Sequence, residues 1–163
     1  GGKPTLMRVG HAFIKQSMRQ KDVRFACEHS GHFYFKDYFY TDSVTLTLLA
    51  VLEAYAEAKA DGQTFSEMMK PFRVYKQTED VIVKVKDKKL ALQLTAEYLA
   101  TLEPQQVKKF DGLLVDLGNV WGAVKPSVTE FALKVMFESE NRHDAVATQK
   151  LVVDFIKTVA DRE

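Results

Sequence analysis

Hydrophobic residues in the first part of the chain are spaced for two helices and a hairpin. Residues 10–20 place apolar side chains three to four positions apart, which predicts a helix. Segment 23–27 alternates like a strand, and the aromatic run HFYFKDYFY after the turn EHSG indicates a second strand. A longer helix is predicted from the N-cap signal TDS to about Lys59. Because its apolar residues cover nearly all sides, we expect it to be buried.

A second pattern begins after a boundary that we place near residues 71–76. Just before it, Thr64 and Glu67 fit a capping box for a short helix that Pro71 would end. Beyond it, DVIVKVKD alternates inward valines with outward polar residues, as in a sheet with one solvated face. Further strands are predicted at GLLVDLG, VWGAVK and FALKVMFE, and helices at residues 88–102 and 142–160. This order predicts an α+β layer sandwich.

The same periodicity predicts which side chains of the last two elements meet the core. In FALKVMFE and in the final helix, the inward side chains should be Phe131, Leu133, Val135, Phe137, Val146, Val153, Ile156 and Val159.

Composition and charge narrow the class of protein. A hydrophobic content of 46% with only 4 prolines and 8 glycines indicates a folded globular protein. The net charge of +1, from 23 basic and 22 acidic residues, gives no reason to expect nucleic acid or a membrane surface as partner. The single cysteine, Cys27, and the absence of a signal peptide or membrane span favour the cytoplasm. The abrupt Gly-Gly start suggests a cut inside a longer protein.

The turn CEHSGH concentrates polar side chains in a way that allows three interpretations. Glu28, His29 and His32 could ligate a metal, but their spacing matches none of the usual helix or knuckle patterns of zinc sites. A histidine near neutrality could act as a general acid or base. The third interpretation is an ordinary polar hairpin turn in which Gly31 supplies an unusual backbone angle.

Two further segments carry candidate chemistry. KPSVTE, residues 125–130, places a lysine and two hydroxyls at a turn with free backbone N–H groups, which can cradle a phosphate. An ordinary Pro-Ser turn would look the same. In VGHAFIK, His11 and Lys15 lie four residues apart on one helical face, which also fits a solvated helix start.

Taken in this order, the three segments resemble the α-D-phosphohexomutase family, the phosphomannomutase/phosphoglucomutase enzymes. RVGHAFIK resembles the family segment VGHSFIK, CEHSGHFYFKD its sugar-specificity loop GExSGHxxF+D, and VKPSVTEFALKV its phosphate loop RPSNTEPxLRV. The likeness covers nearly the whole chain. It implies the C-terminal part of a sugar-binding α/β third domain over residues 1–72, and a complete fourth domain over residues 73–163, an antiparallel sheet covered by helices on one face.

The resemblance implies an isomerase that moves phosphate reversibly between the 1- and 6-positions of a hexose, glucose or mannose, with a phosphoserine as donor. By that likeness the catalytic cleft would use His11 near the reacting groups. The sugar hydroxyls would be bound by Glu28, Ser30 and His32, and the non-transferred phosphate by Lys125, Ser127 and Thr129. The partners implied are a hexose phosphate and the N-terminal domains of the same enzyme.

The sequence also departs from the family pattern. Lys125 stands where the family has arginine, Val128 replaces asparagine, and Phe131 replaces proline, so the loop loses a planar cation and a side-chain donor. The serine loop of the TASHNP type and the DGDGDR loop that holds Mg²⁺ are absent from this sequence. We therefore expect no mutase activity from this chain alone, and no cofactor bound by it.

A second hypothesis from a different class stays open, a free-standing, non-catalytic module that binds sugar phosphates or serves in assembly. The two hypotheses differ in the surface that they predict for residues 1–70. Part of a larger domain should leave an apolar patch and a strand edge uncovered, whereas an independent module should cover them. The related phosphoglucosamine mutases are a weaker match to SGHFYFKD and GHAFIK.

Overall fold

The structure is a computed structural model that describes residues 2–162, and it divides into two compact units between Pro71 and Phe72. We call these the first unit and the second unit. In the described part of the chain, no helix is both long and apolar enough to cross a membrane.

The first unit is built around a small antiparallel sheet and one packed helix. In chain order its elements are α1 (His11–Lys21), β1 (Phe25–Cys27), β2 (Phe33–Phe35), β3 (Thr41–Asp42), α2 (Val44–Ala60) and α3 (Phe65–Met69), with 3₁₀ turns at Lys36–Tyr38 and Lys70–Phe72. The strands pair in the order β1-β2-β3. The core consists of Ile14 and Met18 from α1 and Tyr34 from β2. The predicted hairpin and first helix are thus confirmed.

The prediction that α2 is buried is wrong. Its start is as predicted, because the Ser43 side chain accepts the Leu46 N–H and caps the helix. None of its residues is buried, however, and Val44 is 77% exposed. The core of the first unit forms between α1 and the strands, while α2 packs along α3 through the edge-on pair Tyr55 and Phe65. Most of the apolar surface of α2 is therefore exposed in the described part of the chain.

The second unit is a six-stranded antiparallel sheet with two helices on one face. Its elements are β4 (Lys76–Gln77), β5 (Val81–Lys84), α4 (Lys88–Ala100), β6 (Gln106–Lys109), β7 (Leu113–Asp116), β8 (Val120–Pro126), β9 (Ala132–Ser139) and α5 (Arg142–Val159). The strand order is β4-β9-β8-β7-β6, and β5 also pairs with β9. Inward side chains of these strands pack with α4 and α5 in one core. Together with the first unit, this is the predicted α+β class.

Most of the predicted inward positions are buried, and two are not. Leu133, Val135 and Phe137 on β9 are fully buried beneath α5. Phe131 is 71% exposed because it lies in the turn before β9 begins. Val146 is also exposed, since the buried face of α5 starts one position earlier, at Ala145.

Replacing Gly122 with alanine should strongly destabilise the second unit. A Cβ at this position on β8 would lie 2.4 Å from the Met136 carbonyl oxygen and 2.5 Å from the Phe137 ring. We expect a loss of about 1–3 kcal/mol of unfolding free energy, as for an overpacked core. Urea unfolding followed by fluorescence measures it, because the single tryptophan, Trp121, lies in the same unit. The control is Gly2→Ala, where nothing lies within 4 Å; equal midpoints for the two variants would contradict the packing argument.

Candidate functional site

Glu28 joins the start of α1 to the β1–β2 hairpin. Its Oε1 accepts the Gly10 N–H at 3.2 Å, and its Oε2 accepts the Tyr34 hydroxyl at 2.6 Å. The side chain is only 11% exposed. Because each carboxylate oxygen has a donor from a different element, the carboxylate is held in one orientation. The GHAFIK and EHSGH segments, which are far apart in the sequence, thus meet at this residue.

The turn after Glu28 presents Ser30 and His32 to solvent. The Glu28 N–H donates to the His32 carbonyl at 2.9 Å, and the Gly31 N–H donates to the Glu28 carbonyl at 3.0 Å. Gly31 has φ 85°, the left-handed conformation that glycine tolerates best. The Ser30 Oγ lies 2.8 Å from His32 Nδ1, which is 3.9 Å from Glu28 Oε2. The turn therefore offers a hydroxyl and an imidazole on a fixed backbone, suited to binding polar groups such as hydroxyls.

His11 is the first residue of α1 and directly follows Gly10, the residue bonded to Glu28. Its side chain is exposed, and Lys15 one turn later is half-buried. Glu28 therefore fixes the backbone next to His11 as well as its own turn. The structure brings His11, Glu28, Ser30 and His32 into one region of the first unit.

The other predicted binding residues lie in the second unit, at the loop between β8 and β9. The Ser127 N–H donates to the Ala132 carbonyl at 2.8 Å, and the Ser127 Oγ accepts the Glu130 N–H at 3.3 Å. Ser127 is buried, Thr129 is exposed, and Val128 is 98% exposed. Within residues 2–162 the N–H groups of Val128 and Thr129 have no acceptor. The loop is thus closed by Ser127 and exposes amide donors.

Lys125 is half-buried near the end of β8, where its partner across the strands is Lys134 on β9. Directly opposite side chains on antiparallel strands lie about 5 Å apart at Cβ, and like charges there are destabilising. Neither ammonium has a carboxylate of the described chain within ion-pair distance. Two adjacent cations next to free amide donors form a site that an anion would stabilise.

Sequence reasoning missed Lys134 and Tyr34. The alternation of FALKVMFE puts Lys134 on the outward face, and folding the two strands back at KPSVTE would have placed it opposite Lys125. Tyr34 is 1% exposed, and burial, followed by the hydrogen bond and charge of Glu28, raises its pKa above the ordinary tyrosine value. No pattern in the aromatic run distinguishes this one hydroxyl from its neighbours.

A magnesium site does not fit the residues of this chain. Among residues 2–162, no group of three or more His, Cys, Asp or Glu side chains is arranged to hold a metal ion. Glu28 and His32 belong instead to the hydrogen-bonded turn described above. The Mg²⁺ that the resemblance implies therefore has no fitting set of ligands among the described residues.

Tyr34→Phe should destabilise the first unit. The change removes the donor to Glu28 Oε2 and leaves a carboxylate oxygen unpaired in a nearly buried position. The expected loss is about 1.5–3 kcal/mol, the range for hydrogen bonds to charged groups. Urea unfolding followed by NMR signals of the first unit measures it. Tyr38→Phe is the control, since that side chain is exposed and its hydroxyl has no hydrogen-bond partner among residues 2–162. An equal loss there would refute the role of the Tyr34 hydroxyl.

The same hydroxyl should make stability depend on pH at the alkaline end. The folded pKa of Tyr34 is raised, so its stabilising contribution is complete below the ordinary tyrosine pKa of about 10. As pH rises above that value, the unfolded chain loses the proton first and the stability falls. Wild-type protein should therefore lose stability above about pH 10 more steeply than Tyr34→Phe. Parallel pH curves for the two proteins would contradict this assignment.

Known proteins are similar to this chain both in sequence and in fold. Residues 1–75 match the protein-family model described as "Phosphoglucomutase/phosphomannomutase, alpha/beta/alpha domain III". A phosphomannomutase of Methanocaldococcus jannaschii is 33% identical over 159 residues, which cover 98% of this chain and 33% of that protein. A phosphomannomutase/phosphoglucomutase of Pseudomonas syringae pv. tomato is 28% identical over 98% of this chain and 34% of its own length. A phosphoglucosamine mutase of Ligilactobacillus salivarius is 32% identical over 94% of this chain and 30% of its own length.

The structural comparison agrees. A crystal structure of a phosphoglucomutase/phosphomannomutase family protein from Burkholderia thailandensis matches 99% of this chain and 34% of that one, with a TM-score of 0.73 and 22% identity, which shows a shared fold. The chain spans about a third of the length of the curated relatives it matches. On these matches, residues 1–75 carry the third domain that the family model describes, and the chain is similar over nearly its whole length to phosphoglucomutase/phosphomannomutase proteins.

Proposed function

We propose that this chain supplies sugar- and phosphate-binding surfaces to a phosphomannomutase/phosphoglucomutase, which interconverts hexose 1- and 6-phosphates. The observation that carries the proposal is the Glu28 junction, because it brings together the two first-unit segments that resemble functional segments of the family. A carboxylate held from two sides, beside an exposed hydroxyl and imidazole, suits recognition of sugar hydroxyls.

In this proposal Glu28, Ser30 and His32 bind hydroxyls of the hexose. Both Glu28 oxygens already have donors, but each carboxylate oxygen has a second lone pair for a sugar O–H. Ser30 and His32 are exposed and can exchange their mutual contact for contacts with a ligand. His11, next to the fixed Gly10, is the candidate to lie close to the reacting groups.

The phosphate that is not being transferred is assigned to the β8–β9 loop. Lys125 and Thr129 supply a cation and a hydroxyl, and the amides of Val128 and Thr129 supply directed donors. Ser127 is assigned mainly to closing the loop, since its hydroxyl already accepts the Glu130 N–H. Lys134 adds a second cation that offsets the lost arginine fork at position 125. Positioning of this kind supplies much of the catalysis in phosphoryl transfer, whose transition state is loose.

The phosphoserine and Mg²⁺ chemistry is assigned to other parts of the enzyme, so this chain alone should show no mutase activity. The exposed apolar surface of α2 supports this assignment over a free-standing module. Leu48, Leu49 and Leu52 are all exposed on that helix. An independent module would be expected to cover such a patch, whereas the matched domain is by its description a layered alpha/beta/alpha structure.

The test is a two-dimensional NMR titration of this chain with glucose 6-phosphate, mannose 6-phosphate and inorganic phosphate. We expect all three to shift the amides of residues 125–130 with about millimolar affinity, and only the sugars to shift residues 28–32. A difference between the two sugars at residues 28–32 would define the sugar preference.

Paired variants make this titration specific. Lys125→Met should weaken binding of all three ligands, whereas Lys108→Met makes the same charge change on β6, at the far edge of the sheet, and should leave it unchanged. Shifts at residues 125–130 alone would mean that this chain binds phosphate at the β8–β9 loop but has no sugar site. An absence of shifts in both regions at millimolar ligand would refute binding by this chain and favour the non-catalytic assembly module.

A further inference from the structure

Lys88 connects helix α4 to the β8–β9 loop. It is the first residue of α4, and its Nζ donates to the Ser127 carbonyl oxygen at 3.0 Å in a partly buried position. The same ammonium lies 5.3 Å from the centroid of the Phe131 ring, within the range of a cation–π contact. The two contacts are made at opposite ends of the loop, thirty-nine residues or more away in sequence.

Hydrogen bonds engage several carbonyls of the loop, whereas the Val128 and Thr129 N–H groups have no acceptor among the described residues. The carbonyl of Ser127 is bound by Lys88, that of Glu130 by the Ala132 N–H at 2.9 Å, and that of Phe131 by the Val85 N–H at 2.9 Å. In a trans peptide the C=O and the next N–H point in opposite directions. A carbonyl of Ser127 drawn toward Lys88 therefore turns the Val128 N–H away from α4, toward the exposed side of the loop.

The charge of Lys88 is not neutralised by its nearest acidic neighbour along the chain. Asp87 caps α4, and its Oδ1 accepts the N–H groups of Lys89 and Leu90 at 2.7 and 3.0 Å. A cation on the Ser127 carbonyl polarises that peptide group and strengthens the Val128 N–H as a donor. Lys88 thus acts on the amide that faces an incoming anion without occupying the anion's place.

We propose that Lys88 is a positioning residue for the phosphate loop, orienting and polarising the Val128 amide through the Ser127 carbonyl. This inference rests on the proposed function, because it assumes that the loop receives a phosphate. It assigns the loop a preorganising cation that enters from α4, outside the KPSVTE segment. Phe131, which stands where the family has proline, serves as the second contact that fixes the Lys88 ammonium.

The experiment compares three single variants of this chain by NMR, first without ligand and then with inorganic phosphate. Lys88→Met removes the ammonium and keeps a long side chain, and Lys88→Arg restores a cationic donor. Lys89→Met is the matched control, because it removes the same charge from the next residue of α4, whose side chain makes no hydrogen bond, ion pair or ring contact among the described residues. The readouts are the amide shifts and hydrogen exchange of Val128 and Thr129, and the phosphate Kd.

We expect Lys88→Met to shift the Val128 amide in the free protein and to weaken phosphate binding about tenfold, with Lys88→Arg recovering most of it and Lys89→Met unchanged. If wild-type protein binds phosphate and Lys88→Met binds it equally well, the inference fails while the proposed function stands. An equal loss of phosphate affinity in Lys89→Met would show that the effect depends only on net charge, and this would also overturn the inference. No phosphate binding by wild-type protein would overturn both.

Discussion

The pairing of β8 with β9 determines more of this structure than any other interaction. Seven residue pairs join the two strands, from Val120 opposite Ser139 to Pro126 opposite Leu133. Because side chains alternate between faces, this register sends Val124, Val135 and Phe137 into the core and Lys125 and Lys134 outward. A slip by one residue would exchange the two sets. The β8–β9 loop inherits its length and its two flanking cations from the same register.

Glycine at position 122 is what allows this pairing to coexist with a large aromatic core. Phe137 is fully buried, and its ring lies where a side chain at the opposite position would project.

In the first unit a different kind of constraint determines the position of the candidate site residues. There the hydrogen-bonded Glu28 carboxylate, together with the packing of Ile14 and Met18 on Tyr34, joins the start of α1 to the hairpin.

Element types and the domain class could be predicted because they depend on local periodicity and capping. Ser43 and Thr64 cap helices as the sequence indicates, and the Thr64–Glu67 capping box is complete. The short strands β4 and β6 were missed, since their polar residues pair at the margins of the sheet and carry no apolar alternation. On α4 the buried residues are Ala91, Thr95 and Leu99. Two of them, Ala91 and Thr95, are small, and a periodicity that is weighted by side-chain size overlooks them.

The limits of prediction at the site have the same origin. A motif predicts that Glu28 and Lys125 belong to functional segments. The donors to Glu28 from Gly10 and Tyr34, however, and the contact from Lys88 to Ser127 span eighteen, six and thirty-nine residues. The burial of α2 was mispredicted because an apolar composition does not show whether another layer of structure is present to cover the helix.

The facing lysines of β8 and β9 also couple the stability of the second unit to its solvent. Repulsion between Lys125 and Lys134 is present in the free protein and is relieved by any anion that settles between them. Whatever binds the folded state alone raises its apparent stability through mass action. Phosphate or sulfate in an ordinary buffer would then act as a ligand, so melting temperatures of this protein acquire meaning only when the buffer anion is stated.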